Sequence, residues 1–137
     1  MIESKAFSIG LTIIELVVVL IISAVLSSIV IPNYSRLQTH AKYSNLKQTA
    51  YSIQMALETF FLYHGVYPEL DGIDSLLLLL KDELLLKKIP LNPFTNQPLS
   101  NQDMSGKITY TYDATTRVYK IEVYDKFNQD ILLLLEN

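Results

Sequence analysis

Glu15 raises the first chemical question, because it is the only charged residue in the apolar stretch 11–31. An ionised carboxylate facing lipid is expensive, and acidic residues inside such segments usually serve a function. A local explanation exists as well: at the start of a helix, Glu15 would feel the positive end of the dipole or reach the membrane interface. Either way, the sequence predicts that something compensates this charge.

Other residues whose side chains could take part in catalysis or metal binding are few and far apart. His40 and His64 are separated by 24 positions, which is about 36 Å along one helix, so they cannot share a site. Asp125, Asn128 and Asp130 offer oxygens to a calcium ion, but their spacing does not match a known calcium loop, and polar turn residues explain them better. The chain has no glycine-rich phosphate loop, paired-histidine metal motif or cysteine nucleophile. We therefore expect no enzyme and no cofactor.

Charge is distributed unevenly along the 137 residues, although the net charge is only −3. Residues 34–57 carry three cations and no acid, whereas the chain from Glu58 onward has 12 acids and 7 basic residues. The acidic part is a poor partner for nucleic acid. The basic stretch and the acidic part either attract each other between copies or simply solvate the surface.

The segment 11–31 has the length of a membrane span. Its 21 residues would cover roughly 30 Å as a helix, which is the hydrocarbon thickness of a bilayer. A removable secretory signal is the competing interpretation, but its apolar core would have only about 7 to 15 residues. In addition, the helical pattern continues beyond Pro32 instead of giving way to a cleavage loop.

The residues around the start of this span carry a specific motif. A short polar leader, residues 1–10, ends at Gly10 and is followed by Leu11, Thr12, two isoleucines and Glu15. Together with the unbroken apolar run and Pro32 at its far end, this pattern resembles the type IV pilin and pseudopilin superfamily. The specific motifs cover only about the first 35 residues.

The resemblance implies a role for each motif residue. A membrane peptidase would cut after Gly10 and methylate the new amine of Leu11. Glu15 would then lie near the Leu11 amine of a neighbouring subunit, so that a charge expensive in lipid becomes paired on assembly. Leu11, Thr12 and Glu15 are thus the expected filament-assembly residues. The pairing of charges would mainly specify how one subunit is positioned against its neighbour and would add little stability.

Beyond the span, the helix is expected to continue to the neighbourhood of Gly65. One face repeats apolar residues at steps of four and three, which requires a packing partner. Pro32 is expected to bend or locally unwind the helix, because it lacks an N–H and clashes with the preceding turn. The residues of the repeating face are Leu46, Ala50, Ile53, Leu57 and Phe60.

The rest of the chain predicts a small head. A leucine-rich helix, capped by Asp74 or Ser75, is expected to run through Leu86 and to stop before Pro90. A proline-rich loop and three strand-like runs follow, at 107–112, 118–124 and 131–135, the last being ambiguous with helix. These runs suggest an antiparallel meander. The expected segments are a leader at 1–10, a transmembrane and assembly half of the long helix at 11–33, its amphipathic half at 34–64, the short helix and loop at 65–106, and the sheet at 107–137.

This order of elements looks like the α+β pilin fold, a long helix packed on a small antiparallel sheet. The resemblance implies a structural subunit, first held by one span in the inner or plasma membrane and then part of a helical homo-oligomeric filament outside the cell. The peptidase and methylase, an assembly ATPase and a platform protein are the implied partners. Two alternatives remain open: a pseudopilin of a type II secretion or DNA-uptake machine, and a membrane-anchored binding module or enzyme.

Overall fold

The structure is a computed structural model that describes residues 12–137, apart from the side chain of Pro32. Gly10 and Leu11, the expected cleavage and methylation positions, lie outside the described residues. The elements are two helices, α1 (Ile13–His64) and α2 (Ile73–Asp82), and three strands, β1 (Ile108–Asp113), β2 (Val118–Tyr124) and β3 (Ile131–Glu136). The chain divides into two compact units, up to Gln38 and from Thr39 to Asn137. The α+β fold class expected from the sequence is confirmed.

In the first unit, α1 exposes apolar side chains in every direction. The large hydrophobic side chains of residues 13–31 are between 41% and 84% exposed. This is the one helix among the described residues that is long and apolar enough to cross a membrane. Helix α1 is continuous through position 32, and the bend expected at Pro32 stays a prediction.

In the second unit, the face of α1 predicted to need a partner is buried. Leu46, Ala50, Ile53 and Leu57 have no exposed surface, and Phe60 has 7%. Their spacing of three and four residues places them on one side of the helix, where they form the head core with α2 and the sheet. The face expected to need a packing partner therefore has one, whereas the division of the helix at residues 33 and 34 stays a prediction.

The beginning of α2 corrects the sequence prediction, since neither Asp74 nor Ser75 caps the helix. Gly72 occupies the cap position without a side-chain bond of its own, and the Oδ1 atom of Asn101 accepts the N–H of Ile73 at 2.8 Å. Asp74 returns the contact, because its carboxylate accepts the N–H of Asn101 at 3.1 Å. The cap therefore comes from a residue 28 positions away. The sequence around the start of α2 could not predict it.

The end of α2 is also earlier than expected. The helix stops at Asp82, and Leu84 takes a left-handed conformation with φ of 59°. The N–H of Leu84 bonds to the carbonyl of Lys81 at 3.0 Å, and the N–H of Leu85 bonds to that of Leu80 at 2.9 Å. These two bonds are those of a Schellman motif, which usually has glycine where this chain has Leu84. The absence of that glycine explains why the sequence suggested a longer helix.

The sheet is the antiparallel meander that the sequence predicts, in the order β1-β2-β3. Tyr110 pairs with Ile121 between β1 and β2, and Ile121 pairs with Leu135 between β2 and β3. The buried residues alternate along the strands, as expected for a sheet with one face on a core. The ambiguous last run is a strand, with a bulge opposite Val123 and Tyr124.

Asn92 organises the loop between α2 and the sheet. Its side chain is fully buried, donates to the carbonyls of Ser105 at 2.8 Å and Gly106 at 3.2 Å, and accepts the N–H of Phe94 at 2.9 Å. Gly106 has φ of 62°, and a Cβ there would overlap the ring of Phe94. The loop is thus held in place by the side-chain amide of Asn92 and by the close packing of the Gly106 backbone against the ring of Phe94.

Candidate functional site

Glu15 and Thr12 bind each other at the start of α1. The carboxylate oxygen Oε2 of Glu15 accepts the backbone N–H of Thr12 at 2.8 Å and its hydroxyl at 2.7 Å. In return, the N–H of Glu15 points to the hydroxyl oxygen of Thr12 at 3.3 Å. Thr12 is the N-cap of the helix and Glu15 the third helical residue, so the pair forms a capping box.

The capping box gives Glu15 a role within its own chain. Two backbone N–H groups that have no partner inside the helix are satisfied, and the carboxylate lies at the positive end of the helix dipole. Its spacing, Thr-x-x-Glu, is visible in the sequence at 12–15. Glu15 is thus partly explained by a contact within its own chain, because its carboxylate is held beside the backbone N–H of Thr12.

Three polar side chains in the apolar segment or just after it bond back onto the helix. Ser27 donates to the carbonyl of Ser23 at 2.7 Å, and Ser28 donates to that of Val25 at 2.7 Å. Asn33 donates to the carbonyl of Ile29 at 3.0 Å. Because these hydrogen bonds are internal, the hydroxyl and amide groups need no water, which suits a helix in an apolar medium.

A second polar cluster, missed by sequence reasoning, joins α1 to the head. Glu58 accepts the hydroxyl of Tyr119 on β2 at 2.5 Å through one oxygen, and the hydroxyl of Tyr67 at 2.9 Å through the other. Gln54, one turn earlier, donates to the Tyr119 hydroxyl at 3.1 Å. Both carboxylate oxygens of Glu58 thus hold parts of the chain that are distant in sequence, which fixes the helix on the sheet.

The tyrosines of this cluster resist ionisation. Burial, followed by the hydrogen bond to Glu58, raises the pKa of Tyr67 to about 12. Burial also raises the pKa of Tyr119 and of Tyr110, whose hydroxyl donates to the carbonyl of Pro68 at 2.8 Å. Since a phenolate next to a carboxylate is unfavourable, Tyr67 and Tyr119 stay protonated at ordinary pH and remain hydrogen-bond donors to Glu58.

A groove of about 780 Å³ lies beside this cluster. Its walls include the stacked rings of Phe61 and Tyr67, with centroids 4.5 Å apart. Glu69 and Arg117 supply charges of opposite sign at the same groove. Its lining therefore has aromatic, acidic and basic parts rather than a single character.

In the head loop considered for calcium, Asp125 and Asn128 each use a side-chain oxygen for bonds within the chain. Oδ1 of Asp125 accepts the N–H groups of Phe127, Gln129 and Asp130. Asn128 donates to the carbonyl of Asp103 and accepts the N–H of Lys107. Among residues 12–137, no group of three His, Asp or Glu side chains is arranged to hold a metal ion.

The two histidines have separate surroundings. His64 lies 3.4 Å from the carboxylate of Glu83 and stacks on Phe60 with ring centroids 4.1 Å apart. His40 is an exposed residue of α1, nearly seven turns earlier in the helix by its 24-residue separation. The contact of His64 therefore links the ends of α1 and α2 rather than pairing the histidines.

No family model, curated protein or solved structure matches this chain. Evidence on function therefore comes from the residues themselves: the motif from Gly10 to Glu15, the exposed apolar helix and the head.

Proposed function

We propose that this chain is a structural subunit of a type IV pilus-like helical filament. It would be made as a precursor, cleaved after Gly10, methylated at the amine of Leu11, and polymerised through the apolar half of α1. The observation that carries the proposal is the lone carboxylate of Glu15, five residues after Gly10, at the start of a helix whose apolar side chains remain uncovered.

The uncovered helix supports assembly because its surface is unfavourable in water. Side chains on all sides of residues 13–31 are exposed in the single chain, and a helix that is apolar all round must be buried in lipid or in other protein. A bilayer meets this need before assembly, and neighbouring copies meet it afterwards. The self-bonded Ser27, Ser28 and Asn33 fit both environments.

Glu15 supports the proposal through its charge. Its capping bonds to Thr12 satisfy hydrogen-bonding groups, but they do not neutralise a carboxylate in an apolar medium. Cleavage after Gly10 would retain Thr12 and its N–H, so the capping box survives maturation. The methylated amine of Leu11 from a second copy would supply the missing positive charge and would set the register between copies.

The proposal also requires partners that the chain cannot replace. The peptidase and methylase act on the precursor in the membrane, while an assembly ATPase and a platform protein drive and guide polymerisation. The subunit would begin as a single-pass protein of the inner or plasma membrane and end in a filament at the cell surface, where adhesion or motility are the corresponding roles.

The groove beside Tyr67 favours a second candidate, a binding module that one span anchors in the membrane. Its volume of about 780 Å³ lies within the range of small-molecule sites. This candidate needs neither cleavage after Gly10 nor contacts between copies. The two functions thus differ in the fate of residues 1–10.

Filaments sheared from the cell surface test the proposal. We expect this chain in long filaments by immunogold electron microscopy, and we expect a Gly10→Leu variant, which blocks processing, to remain in the membrane. Short, membrane-bound assemblies that contain the processed chain would indicate a pseudopilin instead. A chain that stays monomeric, with Gly10→Leu behaving like the wild type, would contradict both filament functions.

A further inference from the structure

The outer face of α2 and the turn after it expose apolar and acidic side chains, of which Glu83 also contacts His64. We call Leu78, Asp82, Glu83 and Leu84 the α2 patch. Leu78 is 52% exposed and Leu84 is 89% exposed, whereas the opposite face of α2 buries Ile73, Leu76, Leu77 and Leu80 in the core. The patch therefore combines two exposed leucines with two exposed carboxylates.

Leu84 is an unusual residue at this position. It has φ of 59°, a conformation that costs an L-residue about 1 kcal/mol or more, and its side chain gains almost no burial in return. Glycine or asparagine would complete the same Schellman motif at lower cost. Strain of this kind is concentrated at positions with a functional role, so the exposed side chain points to a contact outside the chain.

Charge indicates what would cover the patch. Residues 69–86 contain five acids and one lysine, a balance of −4, before Lys87 and Lys88 begin. Among the described residues, the only ion-pair contact is between His64 and Glu83, which leaves Asp82 without a cation. Residues 34–57, with three cations and no acid, have the opposite sign.

The basic stretch also carries exposed apolar residues. Tyr34 is 66% exposed and Leu37 is 67% exposed, on either side of the exposed Arg36. A leucine with a neighbouring cation is the chemical complement of a leucine with a neighbouring acid. Because the two surfaces differ, contact between them in two copies is heterologous, and such contacts build an open helical filament when the rotation between copies does not close into a ring.

We infer that the α2 patch of one copy docks on a second copy's α1 near Arg36 and Leu37, with Asp82 facing Arg36. This inference rests on the proposed filament function and adds a head contact to the interface formed by the apolar helix. Docking of two α2 patches on each other would bring carboxylates together and is unfavourable.

A charge exchange tests the pairing. Asp82→Arg and Arg36→Glu should each lower the amount of sheared filament about fivefold, which corresponds to ~1 kcal/mol per contact. The double variant should restore most of the yield, because it reverses both signs. Asp130→Arg and Lys126→Glu are the matched controls, since both residues are exposed in the loop after β2, and they should assemble normally.

Leu84→Gly separates docking from folding. Glycine relieves the left-handed strain and keeps the Schellman bonds, so the thermal stability of the full chain in detergent should be equal or higher, while filament yield falls. Lower stability with unchanged yield would contradict the inference, because Leu84 would then serve the fold.

The outcomes distinguish this contact from the filament itself. If the wild type forms filaments and both Asp82→Arg and Arg36→Glu give a normal filament yield, the contact is overturned. The proposed function would remain supported. Loss of yield in both single variants without recovery in the double variant would also overturn it, because the partner of the patch would then be another molecule. Absence of wild-type filaments would remove the contact together with the proposed function.

Discussion

The carboxylate of Glu15 is bound by the N–H and the hydroxyl of Thr12, at 2.8 and 2.7 Å, in the first turn of a helix that exposes apolar side chains all round. This capping box and the proposed pairing with a second copy use different properties of one residue. The first needs a hydrogen-bond acceptor, whereas the second needs a negative charge. Substitutions can therefore separate the two.

Glu15→Gln keeps an acceptor for the capping box but removes the charge. We expect it to lower filament assembly at least tenfold, which corresponds to about 1.4 kcal/mol, while the chain still reaches the membrane. Thr12→Val removes the cap hydroxyl and keeps the charge, so assembly should fall less. Sheared filament yield, normalised to the chain in the membrane, measures both. Normal assembly of Glu15→Gln with failure of Thr12→Val would assign Glu15 a capping role alone.

Tyr119→Phe should destabilise the head. It leaves one oxygen of Glu58 and the amide of Gln54 without the hydroxyl they contact, and a buried group without its partner costs about 1 to 3 kcal/mol. Thermal unfolding of the full chain in detergent measures the change. Tyr51→Phe is the control, because that ring is 48% exposed, and it should change little. Equal stability of the two variants would show that the Glu58 cluster does not hold the helix on the sheet.

The head should lose stability in alkali. The pKa of Tyr67 is raised from 10.0 to about 12 in the folded chain, so folding favours the protonated phenol. Its contribution is complete below pH 10 and is lost as the pH rises toward 12. Phenolate absorbance should therefore appear together with unfolding in this window. Tyr67→Phe should weaken the effect without removing it, because burial also raises the pKa of Tyr110 and Tyr119. Full ionisation near pH 10 without unfolding would contradict the burial of these phenols.

Substitution by alanine should cost different amounts of folding stability at two glycines that have positive φ. Gly65 has φ of 73° with nothing within 4 Å of a new Cβ, so Gly65→Ala should cost about 1 to 2 kcal/mol from strain alone. Gly106→Ala adds an overlap with the ring of Phe94 and should cost roughly 2 to 4 kcal/mol. Unfolding in detergent ranks the two variants. A Gly106→Ala variant as stable as Gly65→Ala would show that the 90–106 loop can move away.

Features set by local pattern could be read from the sequence. The buried stripe from Leu46 to Phe60 follows helical spacing, and the strands follow from alternation and turn residues. The Thr-x-x-Glu spacing at 12–15 is also the sequence pattern of the capping box seen in the structure.

Features set by distant contacts could not be read in this way. Asn101 caps α2 from 28 positions away, and Glu58 meets Tyr119 across 61 positions. The end of α2 was mistaken because Leu84 occupies a conformation that sequence rules assign to glycine. Each case depends on tertiary packing, which offsets or replaces the local preference.

Mass spectrometry of the chain isolated from membranes and from sheared filaments shows whether it is processed after Gly10. The proposed filament function predicts a chain that begins at Leu11, carries one methyl group on its terminal amine, and has lost residues 1–10. Retention of Met1, or cleavage elsewhere than after Gly10, would contradict it.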